Sequence, residues 1–328
     1  MFDEAINFLE RNPSIIITTH EWPDPDGLGA EIAFSQICRE KGVKCRIINS
    51  RPIPEQFLFM DKRREVEAWN LSEYRANEFA QTDEPALVIL DSSDELNIGA
   101  MEDFVPLAKE IFIIDHHDHI PTTGLNSIID STASSTCELI AELSEAAGIK
   151  LDAVSSAALY AGICYDTGSF AFPKTTARTF RVASGLAENG ANPYETYHEL
   201  NETVKISALL LSHRVFSSLK LLNKNRVAVQ ILRKEDLQSA HAHIEDAEAF
   251  INIPMKAAEI MVSVLIKETE DGLIKCSLRS KGNINVSMIA RSFGGGGHVT
   301  ASGFRSPLGI EETLDRVLEK INATLDEI

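Results

Sequence analysis

Eight side chains of this sequence could do chemistry together: His20, Asp24, Asp26, Asp91, Asp115, His116, His117 and Asp166. Carboxylates and imidazoles without a thiolate suit hard or borderline divalent cations. Taken singly, each has a bland reading. An aspartate after a strand is usually a turn residue or a helix cap, so Asp24 or Asp26 could simply cap the next helix. Asp91 could contact a ribose hydroxyl, as acids do in dinucleotide folds. No G-x-G-x-x-G follows the first strand, however, and Gly27-Leu28-Gly29 is too short a match. All the bland readings would have to hold at once, so the constellation points to metal. His20, Asp24, Asp26, Asp91, His116 and Asp166 are the candidate ligands. Two histidines and four aspartates exceed one tetrahedral zinc site. They suffice for two cations if a carboxylate bridges them. Two-metal sites typically activate water and clamp an in-line phosphoryl displacement. Mn²⁺ is the expected ion and Mg²⁺ the second choice, because Mg²⁺ prefers oxygen to imidazole.

The elements that must position these residues follow from apolar patterning. Ile15-Ile-Ile-Thr-Thr19, Leu87-Val-Ile-Leu90 and Ile111-Phe-Ile-Ile114 read as buried strands of a parallel sheet. They end in His20, Asp91 and Asp115-His116-His117. Ligands in open α/β sheets sit outside the carboxyl ends of the strands. Helices are expected from Leu28 to about Lys41, over Ala157–Tyr165 ahead of Asp166, and from Ser135-x-x-Glu138, a capping box, through Ala147 to a stop at Gly148. Val43–Asn49 and Ser127–Ile129 are further strand candidates. Arg178 and Arg181 are expected on a solvent-facing helix, where either could meet a phosphate. The pattern predicts an α/β catalytic domain over residues 1–200, with a mostly parallel sheet and helices on both faces. A linker helix is expected over 201–223. A smaller α/β domain over 224–328 has strands at Arg226–Leu232, Met261–Lys267 and Ile274–Arg279 and a final amphipathic helix at Glu311–Leu325.

That smaller domain carries a second signal. Gly294-Gly295-Gly296-Gly297-His298 stands between a helical pattern (Val286–Phe293) and a small-residue stretch. Glycine runs are often flexible linkers. Between ordered elements, successive glycine amides can instead form an anion nest. His298 and Arg279 would add donors, so the segment is read as phosphate or nucleotide binding.

With these motifs on the page, the chain resembles the DHH phosphoesterase superfamily, through His20-x-x-Pro-Asp-x-Asp26, Asp91, Asp115-His-His117 and Asp166-Thr-Gly. The resemblance implies that His20, Asp24 and Asp91 hold one metal, and that Asp26, Asp91, His116 and Asp166 hold the other, with Asp91 bridging. It implies that His117 acts on the scissile phosphate, with Asp115 orienting a histidine. Ser135 and Thr136 match a Ser-Thr pair that approaches substrate in the family, though capping is the simpler reading. The glycine segment and Arg279 resemble the DHH-associated domain of the nucleic-acid-directed branch, where they grip the far end of the substrate. The implied group is that of nano-RNases and pAp phosphatases, the bifunctional oligoribonucleases. Its members hydrolyse very short oligonucleotides (nano-RNA, pApA), pAp or cyclic di-AMP. The implied cleft between the domains would set substrate length. A pyrophosphatase or exopolyphosphatase and a catalytically inactive nucleotide sensor are the alternatives; GGGGH with Arg279 argues against the first, and the complete ligand set against the second.

Composition agrees. The 328 residues carry 31 Lys and Arg against 49 Asp and Glu, a net charge of −18. Stable binding to long nucleic acid needs a basic, counterion-releasing surface, so a short oligonucleotide or nucleotide is the expected partner. No apolar run reaches transmembrane length, the first residues lack a signal-peptide pattern, and five cysteines form no framework. The expectation is a cytoplasmic protein that does not engage a membrane, and the resemblance implies a homodimer.

Overall fold

The computed structural model describes residues 1–70, 84–117, 126–269 and 271–326, without the side chain of His298. It divides into two compact units, Met1–Thr203 and Val204–Ile328.

The first unit is built on six parallel strands: β1 (Ser14–Thr18), β2 (Lys44–Asn49), β3 (Val66–Ala68), β4 (Ala86–Leu90), β5 (Ile111–Asp115) and β6 (Asn126–Ile129). Their order is β3-β2-β1-β4-β5-β6. The chain reverses its direction of winding between β1 and β4, so a crevice opens at their carboxyl ends. β1 and β4 are buried at every residue. That is why both read as unbroken apolar runs. Their side chains alternate between two cores. Ile15 and Ile17 pack with Phe8, Leu28, Phe34 and Phe112, whereas Ile16 joins Leu87, Ile89, Ile113 and Phe104 on the other face. Full burial of such a side chain stabilises by roughly 1.5–3 kcal/mol.

Helices α1 (Asp3–Arg11), α2 (Pro25–Glu40), α3 (Thr136–Ala146) and α4 (Ala153–Asp166) pack into the first core. The 3-10 helix Gly99–Leu107 covers the other face. Gly29 and Gly162 let α2 and α4 approach each other: a Cβ on Gly29 would meet the Ala158 carbonyl at 2.4 Å, and one on Gly162 would meet the Pro25 carbonyl at 2.8 Å. The unit is completed by α5 (Ala177–Glu188) and α6 (Pro193–Asn201).

The expected linker helix is shorter than its pattern. Helix α7 covers only Ile206–Ser217, and Lys220–Leu222 is a strand, β7. Asn223, Lys224 and Asn225 all adopt positive φ, turning the chain into β8 (Val227–Leu232), antiparallel to β7. The second sheet, ordered β11-β12-β10-β9-β8-β7, adds β9 (Val262–Glu268), β10 (Ile274–Ser280), β11 (Gly296–His298) and β12 (Ala301–Ser306). Only β8 and β9 pair in parallel. One face packs on α9 (Val286–Arg291) and α10 (Ile310–Asp326); Leu211 and Val215 of α7 and Ala240 of α8 (Lys234–Ala240) pack with Phe250 on the other. Among the described residues no helix is long and apolar enough to cross a membrane.

Candidate metal centre

The crevice between β1 and β4 collects the predicted side chains. His20 follows β1 and Asp91 follows β4, with His20 Nε2 3.5 Å from Asp91 Oδ2. Asp24 is the N-cap of α2, accepting from the N–H groups of Asp26 and Gly27 at 3.0 and 3.2 Å. The capping reading was therefore sound, yet the same Oδ1 lies 3.7 Å from His20 Nε2. Cap and cluster are one residue.

Asp26, in the first turn of α2, is fully buried. Its two oxygens accept from the backbone N–H groups of Thr136 (2.7 Å) and Cys137 (2.8 Å) at the start of α3. A helix N-terminus is a ready anion site, so α3 holds this carboxylate in place. Thr136 also donates its hydroxyl to Asp91 Oδ1 at 3.0 Å, while Ser135 caps α3 through the Glu138 N–H. Only Ser135 of the pair is the cap; Thr136 orients two carboxylates.

His116 closes the group. Its Nε2 lies 3.2 Å from Asp166 Oδ2 and 3.7 Å from both Asp26 Oδ2 and Asp91 Oδ1. Asp115 Oδ1 accepts from the His116 and His117 backbone N–H groups and lies 2.7 Å from His117 Nδ1. Asp115 Oδ2 is buried without a hydrogen-bond partner among the described residues.

Three sets of ligand atoms lie close enough to share an ion: His20, Asp24 and Asp91; Asp26, His116 and Asp166; and Asp91, Asp115, His116 and His117. Asp91 and His116 each belong to two sets. The donor chemistry fits divalent cations, and so does the electrostatics. Burial, Asp91 and Asp24 push the Asp26 carboxyl well up, and burial with Asp26 and Asp24 pushes Asp166 up to about 8. Burial also raises Asp91, to about 6, against the pull of His20. His20 shows the converse: burial opposes its charge, but hydrogen bonds to Asp24 and Asp91 push it up to about 11. Carboxylates whose burial and mutual repulsion oppose ionisation are a site suited to added positive charge. Asp91 adds a backbone signature, with φ of 59°. A non-glycine residue held there is sterically costly, and such conformations cluster at functional sites.

Two features escaped the sequence. One is the hold of Thr136 on the carboxylates. The other is Lys174, whose Nζ lies 3.1 Å from the His116 carbonyl oxygen. Arg178 does not face solvent as expected; it pairs with Asp130, Glu138 and Glu142.

The proposed substrate-binding residues belong to the second unit. Arg279, Ala301 and His298 form one cross-strand row over β10, β12 and β11. The nest of four glycine amides is not formed. The N–H of Gly294 bonds the Arg291 carbonyl and that of Gly295 the Ala290 carbonyl, ending α9, and Gly296 and Gly297 enter the strand. The side chain of His298 lies outside the described residues.

A doubly wound domain that gathers carboxylates and imidazoles at its switch point presents donors suited to divalent cations. Residues 14–164 match the DHH family, N-terminal domain, and residues 224–327 match the DHHA1 domain. The chain belongs to the DHH family and is a phosphoesterase. It is 29% identical over 331 residues to the bifunctional oligoribonuclease and PAP phosphatase of Bacillus subtilis, spanning 100% of this chain and 99% of that one. Identity to the probable counterpart in Streptococcus mutans is 30% over 313 residues, 93% of each chain. Among solved structures, an exopolyphosphatase-related protein from Bacteroides fragilis superposes with a TM-score of 0.92 at 25% identity, covering 99% of this chain and 97% of that one.

Proposed function

We propose that the protein is a two-cation phosphoesterase that hydrolyses very short oligonucleotides, such as nano-RNA or pApA, and pAp or cyclic di-AMP, in the cytoplasm. The observation that carries the reading is the sharing of Asp91 and His116 between sets of ligand atoms, which suits two adjacent ions rather than one. His20, Asp24 and Asp91 would hold the first. Asp26, Asp91, His116 and Asp166 would hold the second, with Asp91 as the bridge. Mn²⁺ is the proposed ion, on the mix of imidazole and carboxylate. Bound cations would supply acidity to water and neutralise charge on the phosphoryl oxygens.

The chain's own groups do the rest. Thr136 and the first N–H groups of α3 fix Asp91 and Asp26. Asp115 holds the His117 ring by Nδ1, and this bond overrides burial to push His117 up to about 9. A protonated His117 can release its Nε2 proton to the departing oxygen. In the second unit, Arg279 and the Gly294–His298 segment are proposed to bind the substrate end distant from the cut. The likeness over whole chains to oligoribonuclease and PAP phosphatase relatives supports the substrate class.

A panel with Mn²⁺ tests this: pAp, pApA, cyclic di-AMP, pyrophosphate, polyphosphate, and RNA of increasing length. Turnover greatest on dinucleotides or pAp is expected. Preference for pyrophosphate or polyphosphate would replace the nucleotide reading with a polyphosphatase one.

A further inference from the structure

Lys174 has a placement that the metal site does not explain. It follows Asp166-Thr167-Gly168 through a tightly wound segment in which Gly168, Ser169 and Phe170 all adopt positive φ. The conformation is held from several sides. Thr167 Oγ1 donates to the Ile163 carbonyl and accepts from the Phe170 N–H, and the Thr167 carbonyl accepts from the N–H groups of Ala171 and Phe172. The Phe170 ring stacks on Phe180 at 5.3 Å. Unfavourable backbone angles persist only where surroundings over-determine them. The segment's result is to return the half-buried Lys174 to the carboxyl end of β5.

There Nζ donates to the His116 carbonyl at 3.1 Å, with Nδ1 of the same ring at 3.4 Å. The carbonyl is the nearer of the two and is the lysine's hydrogen-bond acceptor. An ammonium has three donors. Among the described residues Lys174 pairs with no carboxylate, although its charge reaches Asp166. Arg178, four residues on, is by contrast bound by three acids. The charge of Lys174 thus lies beside the cluster without a direct ion pair among the described residues. Beside an acidic cluster in a chain of net charge −18, the arrangement suits an anion that arrives with the substrate.

We propose that Lys174 binds a phosphate oxygen of the nucleotide substrate, as a fixed organic cation beside the metal ligands. This rests on the phosphoesterase reading above. The lysine selects for substrates whose phosphate carries charge toward the Asp166 side of the cluster. Its bond to the His116 carbonyl aims it, and an ammonium keeps two further donors for a phosphate oxygen.

The test uses the full chain loaded with Mn²⁺, with Lys174→Met and Lys174→Arg beside the parent. Metal per chain is measured by elemental analysis, AMP affinity by calorimetry, and folding by thermal melting. Loss of one charge-assisted hydrogen bond predicts about tenfold weaker AMP binding in Lys174→Met. Metal content and melting temperature should be unchanged, and Lys174→Arg should recover most of the affinity. Parent-like AMP affinity in a metal-loaded Lys174→Met protein would overturn the assignment and leave the lysine as a clasp on His116. Metal loss in step with AMP affinity would likewise overturn it, since the residue would then act through its neighbour. A metal-loaded parent that binds no AMP would sink the nucleotide reading itself.

Discussion

His117 Nδ1 lies 2.7 Å from Asp115 Oδ1. Burial works against the imidazolium, but this bond and the charges of Asp91 and Asp115 outweigh it. His117→Ala should therefore keep its metal and lose roughly 10²–10³ in kcat, the usual cost of removing a group that stabilises developing charge. Asp115→Asn removes the influence that raises the imidazole. The His117 pKa then falls, and the alkaline limb of the kcat profile moves to lower pH. Elemental analysis and pH–rate curves check both. Metal loss in His117→Ala would make it a ligand, and an unmoved alkaline limb in Asp115→Asn would remove His117 as the acid.

The parts of this site that were legible in sequence are those attached to buried parallel strands. β1, β4 and β5 are apolar along their length because both faces are covered, so the first polar residue after each marks the crevice. His20, Asp91 and Asp115-His116-His117 could be found that way. The hold of Thr136 on the carboxylates could not: its partner Asp91 is 45 residues away, and Asp26 meets α3 across 110 residues. Nothing in local propensity encodes such approaches. Lys174 is hidden for the same reason, behind a segment whose positive-φ residues include Ser169 and Phe170, neither of which advertises that conformation. The strand β3 has only three residues, none of them buried, and so leaves no periodic signal. The glycine run misled in the opposite direction. Its composition suggested a nest, but the carbonyls left open by α9 take the first two amides.

Metal binding should release protons. In the metal-free protein His20 is pushed up to about 11 and Asp166 up to about 8, so both are largely protonated at pH 7. A cation must displace those protons, and affinity should rise with pH, by about tenfold per unit for each proton displaced. Calorimetry of the stripped protein with Mn²⁺ in buffers of different ionisation enthalpy should give more than one proton released per chain. Asp91→Ala should lose metal and activity together. Proton release near zero would contradict the assigned protonation, and two tightly held ions in an inactive Asp91→Ala protein would contradict the bridge.

The glycine segment can be dissected because its members differ. A Cβ on Gly295 would meet the Gly303 carbonyl at 2.2 Å, and Gly297 combines φ of 127° with the Ala301 carbonyl at 2.6 Å; a Cβ on Gly296 meets nothing within 4 Å. Gly295→Val should thus destabilise the second unit, whereas Gly296→Val should fold normally. If the segment binds substrate, Gly296→Val and Arg279→Ala raise KM for a dinucleotide about tenfold or more and leave bis-p-nitrophenyl phosphate hydrolysis near the parent rate. The arginine's charge-assisted bond is worth roughly 1.5–3 kcal/mol. Unchanged dinucleotide kinetics in a folded Gly296→Val protein would return the segment to a purely structural role.

Glu31 lies fully buried on α2, where its Oε2 accepts from Asn49 Nδ2 at 2.9 Å and its Oε1 has no hydrogen-bond partner among the described residues. Asn49 in turn accepts from the Thr19 N–H at 3.3 Å, next to His20. Burial pushes the Glu31 carboxyl from 4.5 up to about 8, against the opposing pull of Asn49. The folded state therefore holds this proton more tightly than the unfolded chain. Its stability contribution is complete below the unfolded pKa and is lost as pH rises through the folded one. Glu31→Gln keeps an acceptor for Asn49 and cannot ionise. Both tryptophans, Trp22 and Trp69, lie in the first unit, so fluorescence during urea unfolding reports on the relevant core. The variant's midpoint should change less than the parent's between pH 6 and pH 9. At pH 9 it should be the more stable by on the order of a few kcal/mol, given about 1.4 kcal/mol for each pKa unit. Parallel pH dependences would show that Glu31 is ionised in the folded protein, and that Asn49 and His20 outweigh the cost of its burial.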